Sequence, residues 1–292
     1  MTITLENQHL QVSIQDTGAQ LCSVIGTDGT QYIWQADPAI WARHAPLLFP
    51  IIGRLKDSQY RLGEEVWTIP THGFGRDSVF AVTDSESDRA TFTLTESSRT
   101  LAVYPFAFSL EVTYRLEGNR LIKSHRVENR SSVEMLYELG GHDGYRAPLS
   151  PGETMGDYAV VLPGVNTLTP YDMNEENMLT PKGPSFHLKE GRIALTPSTY
   201  GLDTIIVDDL PQRKAMLVNR EGRARVTVEF DDFPYLGLWT AGKPFDTNYV
   251  CIEPWSTLPD AVFAGRDLRD KPGIRHLAPG QSETLTYTTT FE

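Results

Sequence analysis

Phe106-Ala107-Phe108-Ser109-Leu110-Glu111-Val112-Thr113-Tyr114-Arg115-Leu116 is the stretch on which the fold turns. Phe106, Phe108, Leu110, Val112, Tyr114 and Leu116 alternate with Ala107, Ser109, Glu111, Thr113 and Arg115. Successive side chains of a strand point to opposite faces, so this run has one apolar face for a core and one polar face for water. Glu117-Gly118-Asn119 then turns the chain, and Arg120 to Asn129 returns beside it.

The same grammar spreads outward from that hairpin. Upstream, Leu21 to Ile25 and Gln31 to Trp34 flank Gly26-Thr27-Asp28-Gly29, a hairpin around Asp-Gly. Gln59 to Arg61 and Val66 to Ile69 flank a turn at Leu62-Gly63-Glu64. Downstream, Val133, Met135, Tyr137 and Leu139 read as one face of a further strand. Thr204 to Val207, Ala215 to Val218, the alternating run Arg223 to Phe230, Tyr235 to Trp239, Tyr249 to Glu253 and Leu285 to Phe291 continue the pattern. Two places read as helical: a short helix at Pro38 to His44, and a turn or two at Tyr171 to Leu179. The latter lies in a Pro-, Gly- and Asn/Glu-rich excursion from Ser150 to Glu190, the kind of long loop that forms a lid or rim. A parallel α/β fold needs crossover connections of about a dozen residues or more, usually helical, and none reads so here. The expected fold class is therefore all-β, an antiparallel sandwich or barrel with few short helices, as a single domain over residues 1–292.

Composition narrows the function. The chain has 26 basic and 38 acidic residues, a net charge of −12. That argues against nucleic acid and against an anionic membrane surface as partners. No apolar run approaches the ~20 residues that span a bilayer. Met1-Thr2-Ile3-Thr4-Leu5-Glu6-Asn7 lacks the basic and apolar regions of a secretory leader. Cys22 and Cys251 sit in strand-like apolar runs without metal-type spacing, so buried free thiols in a reducing cytoplasm are expected.

Four islands place ionisable residues in apolar or glycine-rich contexts: Gly53-Arg54, His72-Gly73-Phe74-Gly75-Arg76, Gly140-Gly141-His142 and Cys251-Ile252-Glu253-Pro254-Trp255. At Gly140-Gly141-His142 a strand breaks on two glycines and presents an imidazole. Alone, that reads equally as a polar turn or as an aimed side chain. Glu253, between Ile252 and Pro254-Trp255, has either a cationic partner such as Arg54 or Arg76 or a role as a base. Together, one carboxylate and two histidines are the parts of acid–base chemistry near neutral pH. Arginine supplies a fork for oxygens, and Trp239 and Trp255 supply flat faces for a sugar ring or ordinary core. Asp143 puts a second carboxylate beside His142, either tuning it or capping a turn. There is no dinucleotide fingerprint, P-loop or HExxH. His72 and His142 with a carboxylate could surround a metal, but no local spacing favours one, so none is expected. His9, His44, His125, His187 and His276 lie in ordinary strand or loop settings.

These islands, in this order, resemble the aldose 1-epimerase (galactose mutarotase-like) superfamily, and more narrowly its shorter LacX-type branch. Tyr200-Gly201-Leu202-Asp203-Thr204 and Phe233-Pro234-Tyr235-Leu236-Gly237-Leu238-Trp239 match too. The resemblance implies one large antiparallel β-sandwich, the mutarotase-like supersandwich, with a sugar cleft across one face. It implies interconversion of the α and β anomers of an aldose with no cofactor. It implies His142 as general acid and Glu253 as base, with His72 and Arg54 holding the sugar's oxygens and Asp203 standing in for the family's substrate-binding aspartate; Trp239 and Arg76 are the further substrate-binding candidates. Arg54, Lys56, Arg76 and Lys243 leave a sugar phosphate open as substrate. A non-catalytic sugar-binding or sensing protein is the alternative on the same fold. The oligomeric state stays open between monomer and homodimer.

Overall fold

Phe108–Glu117 and Arg120–Asn129 pair antiparallel, from Phe108 opposite Asn129 to Glu117 opposite Arg120. The computed structural model, which describes residues 1–196, 204–241 and 247–292, places this pair inside a nine-stranded sheet. Its strands run in the order Arg192–Ala194, Ala159–Val161, Lys214–Val218, Ala224–Glu229, Ser282–Phe291, Arg120–Asn129, Phe108–Glu117, Arg89–Thr95, Ala81–Ser85. A six-stranded sheet runs Asp143–Arg146, Tyr249–Trp255, Tyr235–Trp239, Thr204–Val207, Tyr171–Met173, Leu179–Lys182. Every pairing in both sheets is antiparallel.

Alternation explains how the two sheets face each other. Phe108, Leu110, Val112, Tyr114 and Leu116 are buried in one continuous core with Leu285 and Tyr287 of the same sheet. Tyr145, Val250, Ile252, Leu236, Leu238 and Ile205 enter that core from the six-stranded sheet. Apolar burial of this kind contributes roughly 25 cal/mol per Å². Polar tips are satisfied across the layers: Tyr114 Oη donates to the Ala19 carbonyl at 2.6 Å, and Tyr145 Oη lies 3.2 Å from Thr289 Oγ1.

Two departures from the sequence reading have local causes. Pro38 to His44 is a pair of turns on the Asp37 carbonyl, which accepts from Ile40 and Trp41. One turn without a repeating apolar face does not offset helix nucleation. Tyr171 to Leu179 is a hairpin turn between Tyr171–Met173 and Leu179–Lys182. Asn174 organises it, its side-chain oxygen accepting from the amides of Glu176 and Met178, both at 3.0 Å. The strand expected from Val133 is also shorter, Met135–Tyr137, and Val133 itself is exposed.

Charge is buried between the layers. Lys123 Nζ lies 2.9 Å from Asp143 Oδ1 and 2.8 Å from Tyr287 Oη, whose hydroxyl donates to Asp143 Oδ2 at 2.9 Å. Lys123 and Asp143 are both almost fully buried. The pair ties the nine-stranded sheet to the first strand of the six-stranded one. Removing one partner leaves a buried charge uncompensated, which costs about 3–5 kcal/mol. Lys123→Met is therefore expected to destabilise the fold by about that much in urea unfolding, and Lys123→Met combined with Asp143→Leu to recover most of it. Equal loss in the single and double variants would contradict this account.

Candidate active site

A cleft of about 560 Å³ opens on the outer face of the six-stranded sheet. Strand register builds its floor. Asp143 pairs with Ile252 and Gly144 with Cys251, so one further step puts His142 across from Glu253. On the other side Glu253 pairs with Gly237, and Gly237 with Ile206. His142, Glu253, Gly237 and Ile206 thus form one row across four strands, and its three side chains line the cleft. His142 Nε2 lies 3.4 Å from Glu253 Oε2, with Glu253 1% exposed.

Glycines make the row possible. A Cβ at Gly237 would come within 2.5 Å of the Trp255 indole, and one at Gly140 within 2.8 Å of it. Trp255 therefore lies flat along the floor. A Cβ at Gly141 would come within 2.3 Å of Tyr287 Oη. The segment around Gly140 and Gly141 is fixed from both sides. The Leu48 amide donates to Gly140 at 2.9 Å and the Gly141 amide to Pro254 at 3.0 Å. Leu139 N donates to Ser256 Oγ at 2.8 Å. Just before it, buried Glu138 accepts from the Ile52 amide at 2.6 Å and pairs with buried Lys271, which anchors the loop that carries Arg54.

His72 stands on the opposite wall. Its φ is +62°, in the left-handed region, and Gly73 follows at +68° with no room for a Cβ against the Phe49 carbonyl. Gly53 N donates to His72 Nδ1 at 3.0 Å, so Nδ1 is the acceptor and the proton of the neutral ring sits on Nε2. Burial holds His72 well below the usual histidine range, and His142 and Arg76 push the same way. Burial also pushes His142 down to about 3, with the guanidiniums of Arg76 and Arg43 adding to the effect. Trp41 stacks on the His142 ring at 5.2 Å between centroids, and Trp239 meets it edge-on at 5.4 Å.

Of the residues singled out from sequence, Arg54, His72, Arg76, His142, Trp239 and Glu253 all line this cleft. Asp203 and Lys243 lie outside the described residues. Glu253 faces His142, and Arg76 lies 3.6 Å from Asp77. The Asp143 side chain points away from His142 into the core, as alternation along the strand requires. Sequence reading missed Trp41, Thr71, Met173, Asn177 and Thr204 in the lining. Met173 and Asn177 come from the excursion expected to form a rim. Trp41 carried no periodic signal. Among the described residues, His142, Cys251 and Glu253 bring possible metal-ligand atoms within 4.8 Å of one another. Both thiols are buried and free, as expected, with Cys22 pushed up to about 11 by burial.

Comparison with known proteins gives the family. The family model for aldose 1-epimerase matches residues 1–287. The chain belongs to the aldose 1-epimerase family. It is 32% identical to the plasmid-encoded protein LacX of Lactococcus lactis subsp. lactis over 299 aligned positions, covering 100% of this chain and 99% of that one. Among solved structures, a galactose mutarotase related enzyme from Lactobacillus acidophilus superposes with a TM-score of 0.94 at 33% identity, covering 100% of this chain and 97% of that one. A galactose mutarotase-like protein from Lactobacillus casei ATCC 334 gives 0.92 at 29% identity, with both chains fully covered.

Burial holds His72, on the cleft wall, well below the usual histidine range and pushes His125, in the core against Phe233 and Tyr287, down to about 3. Unfolded, each takes up a proton below its ordinary pKa of about 6.5. The unfolded state then binds more protons than the native one, so stability falls as pH falls through that range. From about pH 7 to about pH 5 each histidine is expected to remove on the order of 1–2 kcal/mol. Denaturant unfolding at the two pH values measures the drop, and His125→Gln should reduce it by roughly one histidine's share. A pH-independent stability would refute this.

Proposed function

We propose that the chain is a mutarotase that interconverts the α and β anomers of a free aldose by acid–base ring opening. Glu253 takes the proton from the C1 hydroxyl while His142 protonates the ring oxygen, and the C1–O5 bond breaks. Rotation about C1–C2 and re-closure with the roles reversed gives the other anomer. The observation that carries this reading is the 3.4 Å approach of His142 Nε2 to Glu253 Oε2 on the floor of the cleft. The two oxygens that exchange protons are bonded to one carbon, so the acid and base must converge on it. A cross-strand pair does that. For His142 to act as an acid the pair must carry one proton, shared along the line between the two atoms. His72 offers Nε2–H to a sugar oxygen, Arg76 offers its guanidinium, and Trp255, Trp239 and Trp41 offer ring faces. A single domain over residues 1–292 and a cytoplasmic setting, in keeping with two reduced buried thiols, belong to the same reading.

Polarimetry or NMR anomer exchange on fresh α-anomers tests it. Glu253→Gln and His142→Asn are each expected to slow exchange by about 10²–10⁴-fold, the usual contribution of one positioned acid or base. The reading fails if no aldose or sugar phosphate relaxes faster in the wild-type protein than in buffer. Saturable sugar binding with unchanged exchange would instead assign the cleft to a binding protein.

One observation favours a phosphorylated sugar as a second reading. Arg54 is exposed at the cleft mouth without an ion-pair partner among the described residues, and it also lines an adjoining pocket that holds Lys56. On this reading, Arg54→Ala lowers kcat/KM for glucose 6-phosphate about tenfold or more while sparing glucose. Equal effects on both sugars would remove it.

A further inference from the structure

The foot of the cleft gathers more than an acid and a base. Cys251 and Glu253 are two residues apart on Tyr249–Trp255, so their side chains leave the same face of the strand. His142 arrives from just before the neighbouring strand, Asp143–Arg146. The three possible ligand atoms, one nitrogen, one sulfur and one oxygen, lie within 4.8 Å of one another. A tetrahedral zinc ion with Zn–N of about 2.0–2.1 Å and Zn–O of about 2.0–2.2 Å holds its nitrogen and oxygen ligands roughly 3.4 Å apart. His142 Nε2 and Glu253 Oε2 are 3.4 Å apart. Thiolate, carboxylate and neutral imidazole carry two negative charges, which match the charge of one divalent ion. Sulfur selects zinc over magnesium or calcium. His142 and Glu253 line the cleft, and Cys251 lies fully buried behind them.

We propose that His142, Cys251 and Glu253 form a three-ligand zinc site, and that zinc bound there displaces the proton the pair needs and so inhibits anomer exchange. The inhibition rests on the mutarotase reading; the binding does not. Binding requires His142 neutral with its proton on Nδ1, so that the Nε2 lone pair can take the ion. It also requires Cys251 to lose the proton that its buried setting otherwise keeps on sulfur. Zinc binding therefore releases protons and tightens as pH rises.

The full chain, stripped with a chelator, is titrated with Co²⁺ as a spectroscopic probe and then with Zn²⁺. One Co²⁺ per chain, with a thiolate-to-cobalt band that Zn²⁺ removes, is the expected result. Cys251→Ala should abolish the band. It should also weaken zinc binding by more than the roughly 10–100-fold that loss of an outer-shell partner costs. Cys22→Ala, at the other thiol, should keep both. Cys251→Ser, checked by circular dichroism, covers the case in which Cys251→Ala does not fold. No saturable one-to-one binding, or a band that survives Cys251→Ala, overturns the proposal. In the wild-type protein Zn²⁺ should block anomer exchange and a chelator restore it. A band without any exchange activity upholds the site and sinks the mutarotase reading instead.

Discussion

Register between two antiparallel strands is the constraint from which the site follows. Asp143 opposite Ile252 leaves His142 opposite Glu253, and the next strand brings Gly237 against the same glutamate. Cross-strand neighbours on one face lie close enough for their side chains to meet. A slip of one residue would send His142 and Glu253 to opposite faces of the sheet. The approach of His142 to Glu253 is thus set by strand register, with Glu253 on Tyr249–Trp255 and His142 one residue before Asp143–Arg146.

That register has to be defended, and the molecule defends it with buried charge and missing side chains. Asp143, one residue after His142, reaches across the core to Lys123 of the other sheet. Glu138, four residues before His142, is held by Lys271 and the Ile52 amide. Between these anchors, Gly140 and Gly141 let Trp255 and Tyr287 approach closer than any Cβ would permit. Each buried pair is costly to place and more costly to break, so such pairs oppose local rearrangement more than they add net stability. The same tight packing strips water from His142 and His72 and holds both imidazoles below the usual histidine range.

Much of the fold was legible because its signal is local. Alternation from Phe106 to Leu116 reports a strand with one buried face, and Phe108–Glu117 is that strand. Thr204–Val207 and Tyr235–Trp239 were read with their observed bounds. Pro38 to His44 and Tyr171 to Leu179 misled because short polar segments carry no period. Their turns are set by single groups, the Asp37 carbonyl and the Asn174 side chain. Trp41 was unreadable for a related reason. Its place above His142 depends on where a turn is packed, and no neighbour in sequence records that.

By itself, the sequence determined the antiparallel all-β class, the two buried thiols and a set of residues that line the cleft, Arg54, His72, Arg76, His142, Trp239, Glu253 and Trp255. Those features depend on alternation, on turn chemistry and on ionisable residues set in apolar or glycine-rich surroundings. Tertiary structure alone decided which of these residues face one another. His142 and Glu253 are 111 positions apart, and only strand pairing makes them neighbours. It also decided that Asp143, next to His142 in the chain, belongs to the core, because adjacent residues of a strand point to opposite faces. And it set Cys251 beside that pair, since residues two apart on a strand share a face and the neighbouring strand supplies the third group.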